Sequence, residues 1–376
     1  EFDPKVVITK VKFSNFVLIP TNRYGGAIYS SNIPCSIYDC KFDSCQSTRG
    51  GAIYAYYYGT LGNYTCSIVN SKFVNCNSTN GGAINAYIVQ PKRHYIAIEG
   101  CDFQDNRASN NGGAIYAQVR DCFSVQYCTF NNNKADLKGS SIWCRIGQDQ
   151  GNDSDDRASF YGNTITFTPS ETNTINVYIE SQKITNETSP NANLIFGRNT
   201  LSATSTNVKD YELLEINEVG TFESIVFSEC NCIQGSESSV NITAKTAPDT
   251  KNLIYNCQNL NQCPSGDEKP PETNDKCQSY PSRLESFKDE IEREKACFNN
   301  IVAPELREGG AVRSINAKVE LENCHFTNCS TDSNGGAVYV SFSGSQAELE
   351  IKGCTFVSCY SGSKGGAVYY INTNPR

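Results

Sequence analysis

The chain has 376 residues, 32 Lys and Arg against 40 Asp and Glu, 19 Cys and no Met. A net charge of −8 argues against nucleic acid or an anionic membrane as partner, since both select a basic surface. So many cysteines without a Cys-x-x-Cys pair of zinc-ligand spacing point to an oxidised, extracellular or cell-surface protein. No apolar run of about 20 residues offers direct membrane insertion, and the missing initiator Met and signal peptide suggest a processed or excised ectodomain.

In chain order, the first strand-like run is Val6-Val7-Ile8-Thr9-Lys10-Val11-Lys12-Phe13. Gly25-Gly26-Ala27-Ile28-Tyr29 then opens a series of eight related segments. Those starting at Gly50, Gly81, Gly112, Gly335 and Gly365 keep Gly-Gly-Ala-Ile/Val; Gly139-Ser140-Ser141-Ile142-Trp143 has drifted, and Gly309-Gly310-Ala311-Val312-Arg313 ends in Arg. Within each group the starts lie 25 to 31 residues apart, the period of a solenoid. A second half-motif lies eight or nine residues upstream of the glycines in the clear copies, as in Cys40-Lys41-Phe42-Asp43-Ser44-Cys45, Cys101-Asp102-Phe103-Gln104-Asp105-Asn106 and Cys354-Thr355-Phe356-Val357-Ser358-Cys359. Each repeat therefore reads as a strand ending in Phe, a polar turn, a Gly-Gly corner and a second strand.

Side chains alternate across a strand, so Ile53, Ala55 and Tyr57 share one face and Tyr54 and Tyr56 the other. Ile84, Ala86 and Ile88 separate in the same way from Asn85 and Tyr87, and Ile142, Cys144 and Ile146 from Trp143 and Arg145. The Ile/Val face is the buried one. A coil of this size cannot bury its apolar face alone and must stack on identical neighbours. The expected fold is all-β, a right-handed parallel β-helix lined by Ile, Val and Phe.

These paired signatures, Gly-Gly-Ala-Ile and Phe-x-x-Asn (Phe103 to Asn106, Phe130 to Asn133), resemble the passenger repeats of polymorphic outer-membrane proteins, bacterial autotransporter adhesins, and of similar Cys-rich surface proteins in protists. The likeness covers about 1–147 and 308–376. Four copies end in Cys (Cys45, Cys76, Cys329, Cys359) where the pattern has Asn. The resemblance implies a β-helix and a surface adhesin.

The chain divides into regular coils over 1–147, degenerate coils over 148–243, a Cys-containing insertion over 244–300 and regular coils again over 301–376. In the insertion, Ser282 followed by Glu285 reads as a capping box opening a short helix with Leu284, Phe287 and Ile291 on one face. The strand at Val6 and the stretch after Gly365 to Ile371 read as open coil ends, which are edge strands prone to pair with other chains.

Polysaccharide-cleaving β-helices place acid/base groups together on an outer face. Here His94 and His325 have no acidic neighbour at catalytic spacing, and Asp153, Asp155 and Asp156 read as a solvated loop short of the six oxygens that Ca²⁺ needs. No catalytic residue, metal or cofactor is expected. Tyr29, Tyr54, Tyr116 and Trp143 instead form an outward column, with Tyr56 and Tyr87 in the next. Exposed aromatics suit binding of a host-cell or matrix protein or glycan, against the alternative that stacked rungs only stabilise the sheet. The other functional class is a structural subunit whose copies stack end to end into a filament. Aligning coils on Phe superposes Cys35 on Cys66, Cys45 on Cys76, Cys101 on Cys128, Cys324 on Cys354 and Cys329 on Cys359, and coils about 4.8 Å apart allow these five to be disulfides. Six sequons, at Asn63, Asn77, Asn152, Asn186, Asn241 and Asn328, nominate N-glycosylation.

Overall fold

Each regular coil is cut into short strands by three residues in the left-handed region of backbone space, one per corner. The first corner carries Asp39, Asn70 and Gly100, the second Asn75, Asp105 and Asn132, and the third the leading glycine of each pair. Asn, Asp and Gly tolerate this conformation at little cost, so the polar turns of the sequence become corners. In the computed structural model the described residues are 5–16, 23–58, 65–89, 94–147 except 121, 156–170, 174–181, 192–204, 211–218, 222–228, short strands between 231 and 256 and at 296–299, 308–342 except 316 and 318, and 348–373.

Three long sheets result, all paired in parallel: an entry sheet of 10 strands, a Phe sheet of 12 and a glycine sheet of 11. The register holds equivalent residues together, as in Cys35 with Cys66 in the entry sheet, Phe42 with Phe73 in the Phe sheet and Ile53 with Ile84 in the glycine sheet. The fold is a parallel β-solenoid. The strands between 156 and 256 continue the same three sheets. The short helix expected near Ser282 lies outside the described residues.

The stacking order departs from the chain order. Strand Lys5–Thr9 pairs with Cys35–Tyr38 on one side and with Glu348–Lys352 on the other. Ile28–Ser31 likewise lies between Ile53–Tyr57 and Val368–Asn372. The last regular coil therefore seats on the first, and eight glycine motifs that the sequence holds in two groups become one ladder in the order 309, 335, 365, 25, 50, 81, 112, 139. This corrects the reading of the Val6 strand and the Gly365–Ile371 stretch as open ends, because each covers the other. The outermost strands of the stack come from 222–256 at one end and 296–322 at the other.

Phe rings fill the interior as a column. Phe326, Phe356, Phe13, Phe42, Phe73, Phe103 and Phe130 stack in succession with centroids 4.6 to 5.2 Å apart, and each is inaccessible to solvent. Beside them run two buried polar ladders. At one corner Cys101 N–H donates to Cys128 Sγ, Cys128 N–H to Asn163 Oδ1, Asn163 N–H to Asn199 Oδ1 and Asn199 N–H to Asn231 Oδ1. At the next corner Cys76 N–H donates to Asn106 Oδ1, and Asn106 N–H to Asn133 Oδ1. Each rung also donates inward: Asn106 Nδ2 to Phe73 O at 3.0 Å, Cys76 Sγ to Phe42 O at 3.9 Å. The Cys-for-Asn departures of the motif are thus substitutions within one ladder, in which either side chain satisfies a buried carbonyl of the neighbouring coil.

The glycine pair has two separate causes. Gly112 has φ +67°, where a side chain is strained. Gly113 does not, but a Cβ there would lie 2.0 Å from the Ser140 carbonyl oxygen of the next coil. Drift at Ser140 is tolerated because the ladder ends there: Ser140 N–H and Oγ both bond Ile175 O, the next coil having no glycine pair.

Candidate aromatic face

The outer face of the glycine sheet carries three columns of side chains set by register. The central column runs Tyr339, Tyr369, Tyr29, Tyr54, Asn85, Tyr116, Trp143 and Tyr178. Tyr29 and Tyr369 stack at 5.1 Å, Tyr29 and Tyr54 at 5.6 Å, and Tyr116 and Trp143 at 4.3 Å with planes 3° apart. Asn85 interrupts the stack, donating to Asn80 O.

This packing corrects the expectation that the column is an exposed platform. Tyr29, Tyr54 and Trp143 are each only 4 % exposed, covered by their neighbours and by long cationic side chains. Burial pushes the Tyr29 and Tyr54 phenols well above their ordinary range and the Tyr116 phenol up to about 12. Tyr56, Tyr87 and Tyr116 remain half-buried, so half of the predicted set reaches solvent. Tyr56 packs against Tyr87 at 5.6 Å and against Tyr58 at 5.0 Å. Tyr58, 42 % exposed, was missed by the sequence reading.

A flanking column was missed as well. At six of the eight motifs the residue before the leading glycine (Lys364, Tyr24, Arg49, Asn80, Asn111, Lys138) continues a column beside the aromatic one, and bridges Tyr24–Lys364, Tyr24–Arg49 and Arg49–Asn80 hold its middle in line. Lys364 Nζ sits 4.7 Å from the Tyr29 ring and 5.9 Å from Tyr24, while Arg49 lies 5.4 Å from Tyr24. These are cation–π distances. Toward the Tyr178 end the cations are neutralised: Arg145 pairs with Glu180, and Lys138 with Glu215 at 3.3 Å. Arg313 pairs with Glu308 at the other end. Among the described residues, Arg49 and Lys364 in the middle form no ion pair with a carboxylate. The signal for them was the fixed position one residue ahead of the glycines.

The remaining candidates fall elsewhere. All five expected cysteine pairs are neighbours on adjacent coils, and all ten cysteines are buried with no disulfide between them here. Cys122 and Cys232 each take part in a disulfide. Asn77 and Asn328 are exposed; Asn63, Asn152 and Asn186 lie outside the described residues, and of Asn241 only its place in a strand is described. His94 is fully buried, His325 Nε2 bonds Thr327 Oγ1 at 2.7 Å, and Asp156 is buried in a strand while Asp153 and Asp155 lie outside the described residues. Among the described residues no three His, Cys, Asp or Glu side chains gather as a metal site.

Residues 100–118 match the family model of the Chlamydia polymorphic membrane protein repeat. The span contains the second-corner rung Asn106 and the pair Gly112-Gly113, so the chain carries this repeat over a short stretch. No curated protein and no solved structure matches the chain.

Proposed function

We propose that this chain is a cell-surface ligand-binding stalk of adhesin type, and that the glycine-sheet face around Tyr24, Arg49, Tyr56, Tyr58, Tyr87 and Lys364 is where it holds a host-cell or matrix glycan or protein. One observation carries the reading: aromatic edges and two cations without carboxylate partners among the described residues are concentrated at the middle of one face of a chain whose net charge is −8. Aromatic side chains give rigid contact area at low entropic cost, and cations on their faces favour a partner acidic at the contact. The buried part of the column supports this surface from beneath. Activity is binding without catalysis, supported by the burial of His94 and the engagement of His325 by Thr327.

The test is attachment to host cells and to glycan and matrix-protein arrays. A Tyr58→Ser, Tyr87→Ser, Arg49→Ala variant is expected to lose attachment while keeping its β-rich circular dichroism and melting temperature. Full attachment by that folded variant moves the site off this face, and cleavage of a polysaccharide by the native chain overturns the reading.

A further inference from the structure

The seam between the last regular coil and the first has the same register and contacts as the interior of the stack. Val6 and Ile8 pair with Leu349 and Ile351 in the entry sheet, Phe13 with Phe356 in the Phe sheet, and Ile28 with Val368 in the glycine sheet. Phe13 stacks on Phe356 at 5.2 Å and on its chain neighbour Phe42 at 4.8 Å. A Cβ on Gly366 would meet Gly26 O at 2.3 Å, the same interlock found within each group. Nothing in these contacts distinguishes a coil of the same chain from that coil of another.

Covalently, however, the two coils are remote. Ile254–Asn256 and Ala296–Asn299 are strands at opposite edges of the 12-stranded Phe sheet. Eleven steps of about 4.8 Å put those edges roughly 53 Å apart, a span that must be bridged whenever both strands belong to one molecule. Closure within one chain is reachable but has a low effective concentration. An opened seam exposes the apolar rungs Val6, Ile8, Phe13 and Ile28 on unpaired strand edges.

We propose that this seam is an exchangeable interface whose partner is a second copy of the chain: the coils over 308–373 of one molecule seat on the Lys5–Ser31 coil of another, giving reciprocal dimers or open chains of molecules. The exchange is independent of the ligand-binding reading.

Lys12 and Thr355 face each other across the seam on its outer side. Lys12→Cys chains are mixed with Thr355→Cys chains at high concentration, warmed briefly, treated with a short bismaleimide and mapped by mass spectrometry. The expected result is a covalent dimer linked 12 to 355, increasing with concentration, while the dilute double variant links within one chain. A double variant that links only to itself, with no 12-to-355 product from the mixture at any concentration, overturns the exchange. Absence of the link from both overturns the seam as well.

Discussion

Cys76 and Asn106 are successive rungs of one buried ladder: the Cys76 amide donates to Asn106 Oδ1 at 3.0 Å, and each side chain donates to the carbonyl of the Phe three residues before the rung beneath it. Asn106→Ala removes the acceptor from the Cys76 amide, leaving that buried group unsatisfied at about 1–3 kcal/mol, and takes a second donor from Phe73 O, which keeps its ladder bond. The expected loss of stability by chemical denaturation is roughly 2 kcal/mol. Asn106→Cys, which restores a donor to Phe73 O, should lose less than half of that. Equal losses for the two variants would show that the ladder does not depend on these bonds.

The second glycine of each pair tests the spacing between coils. At Gly113 a Cβ would meet Ser140 O at 2.0 Å and Lys134 backbone at 2.6 Å, and at Gly51 it would meet Gly82 O at 2.1 Å. These are backbone atoms that no rotamer change moves. Gly113→Val and Gly51→Val should each destabilise by more than about 2 kcal/mol, whereas Gln118→Lys, on the outer face, should be nearly silent. A melting temperature for Gly113→Val equal to that of the native chain would refute the interlock.

The five cysteine pairs lead to a prediction about timing. Burial and the neighbouring Cys76 push the Cys45 thiol up, and burial and the neighbouring Cys101 push up that of Cys128. A thiol held protonated is a poor nucleophile, so these pairs should oxidise during folding and resist oxidation once folded. Cys35 differs: burial raises its thiol, but the neighbouring Cys66 and polar hydroxyls, Tyr57 Oη at 3.7 Å among them, more than offset this and leave it below its ordinary value. Oxidant added to the reduced native chain should therefore link Cys35 to Cys66 first. Cys144, in register with Ala117 and Ile179, has no partner in either adjacent strand and should stay a thiol. Non-reducing peptide maps decide this, and a Cys324–Cys329 link would reject the pairing.

Most of the coil was legible in the sequence, because period-two alternation around Ile53, Ile84 and Ile142 and the recurrence of Phe and Gly-Gly are local signals that stacking requires. The order of the coils was not. Pairing of Val6 with Leu349 is set by two equivalent surfaces meeting across the molecule, and two equivalent coils carry no mark of which neighbour each receives. Of the candidate site, alternation correctly put Tyr54 and Trp143 on the outer face but not their exposure, which depends on the cations and rings beside them. Arg49 and Lys364 were overlooked because the fixed position ahead of the glycines holds residues of different type from copy to copy (Tyr24, Asn80 and Asn111 as well), and only register shows the basic ones beside Tyr24 and Tyr29.

The aromatic column predicts how the fold responds to alkali. Burial is the largest cause of the raised phenols at Tyr29, Tyr54 and Tyr369, and it pushes Tyr116 up to about 12 from an ordinary value of 10.0. A buried phenol keeps its proton in the folded chain and releases it above pH 10 once unfolded, so the stability it contributes is full below pH 10 and is lost as pH rises toward the folded value. Cys40, pushed by burial to about 12 from 9.0, acts in the same direction beginning one unit lower. Stability should thus be flat to about pH 9 and fall between about pH 9 and 12. In a titration followed at 295 nm, a late fraction of tyrosinate should form in step with the loss of β-sheet circular dichroism. Tyr116→Ser, which removes a raised phenol and the 4.3 Å stack on Trp143, should lower the melting temperature at pH 7 and make the alkaline decline shallower. If every tyrosine ionised near pH 10 with the fold intact, the column would be open to solvent and its supporting role would be wrong.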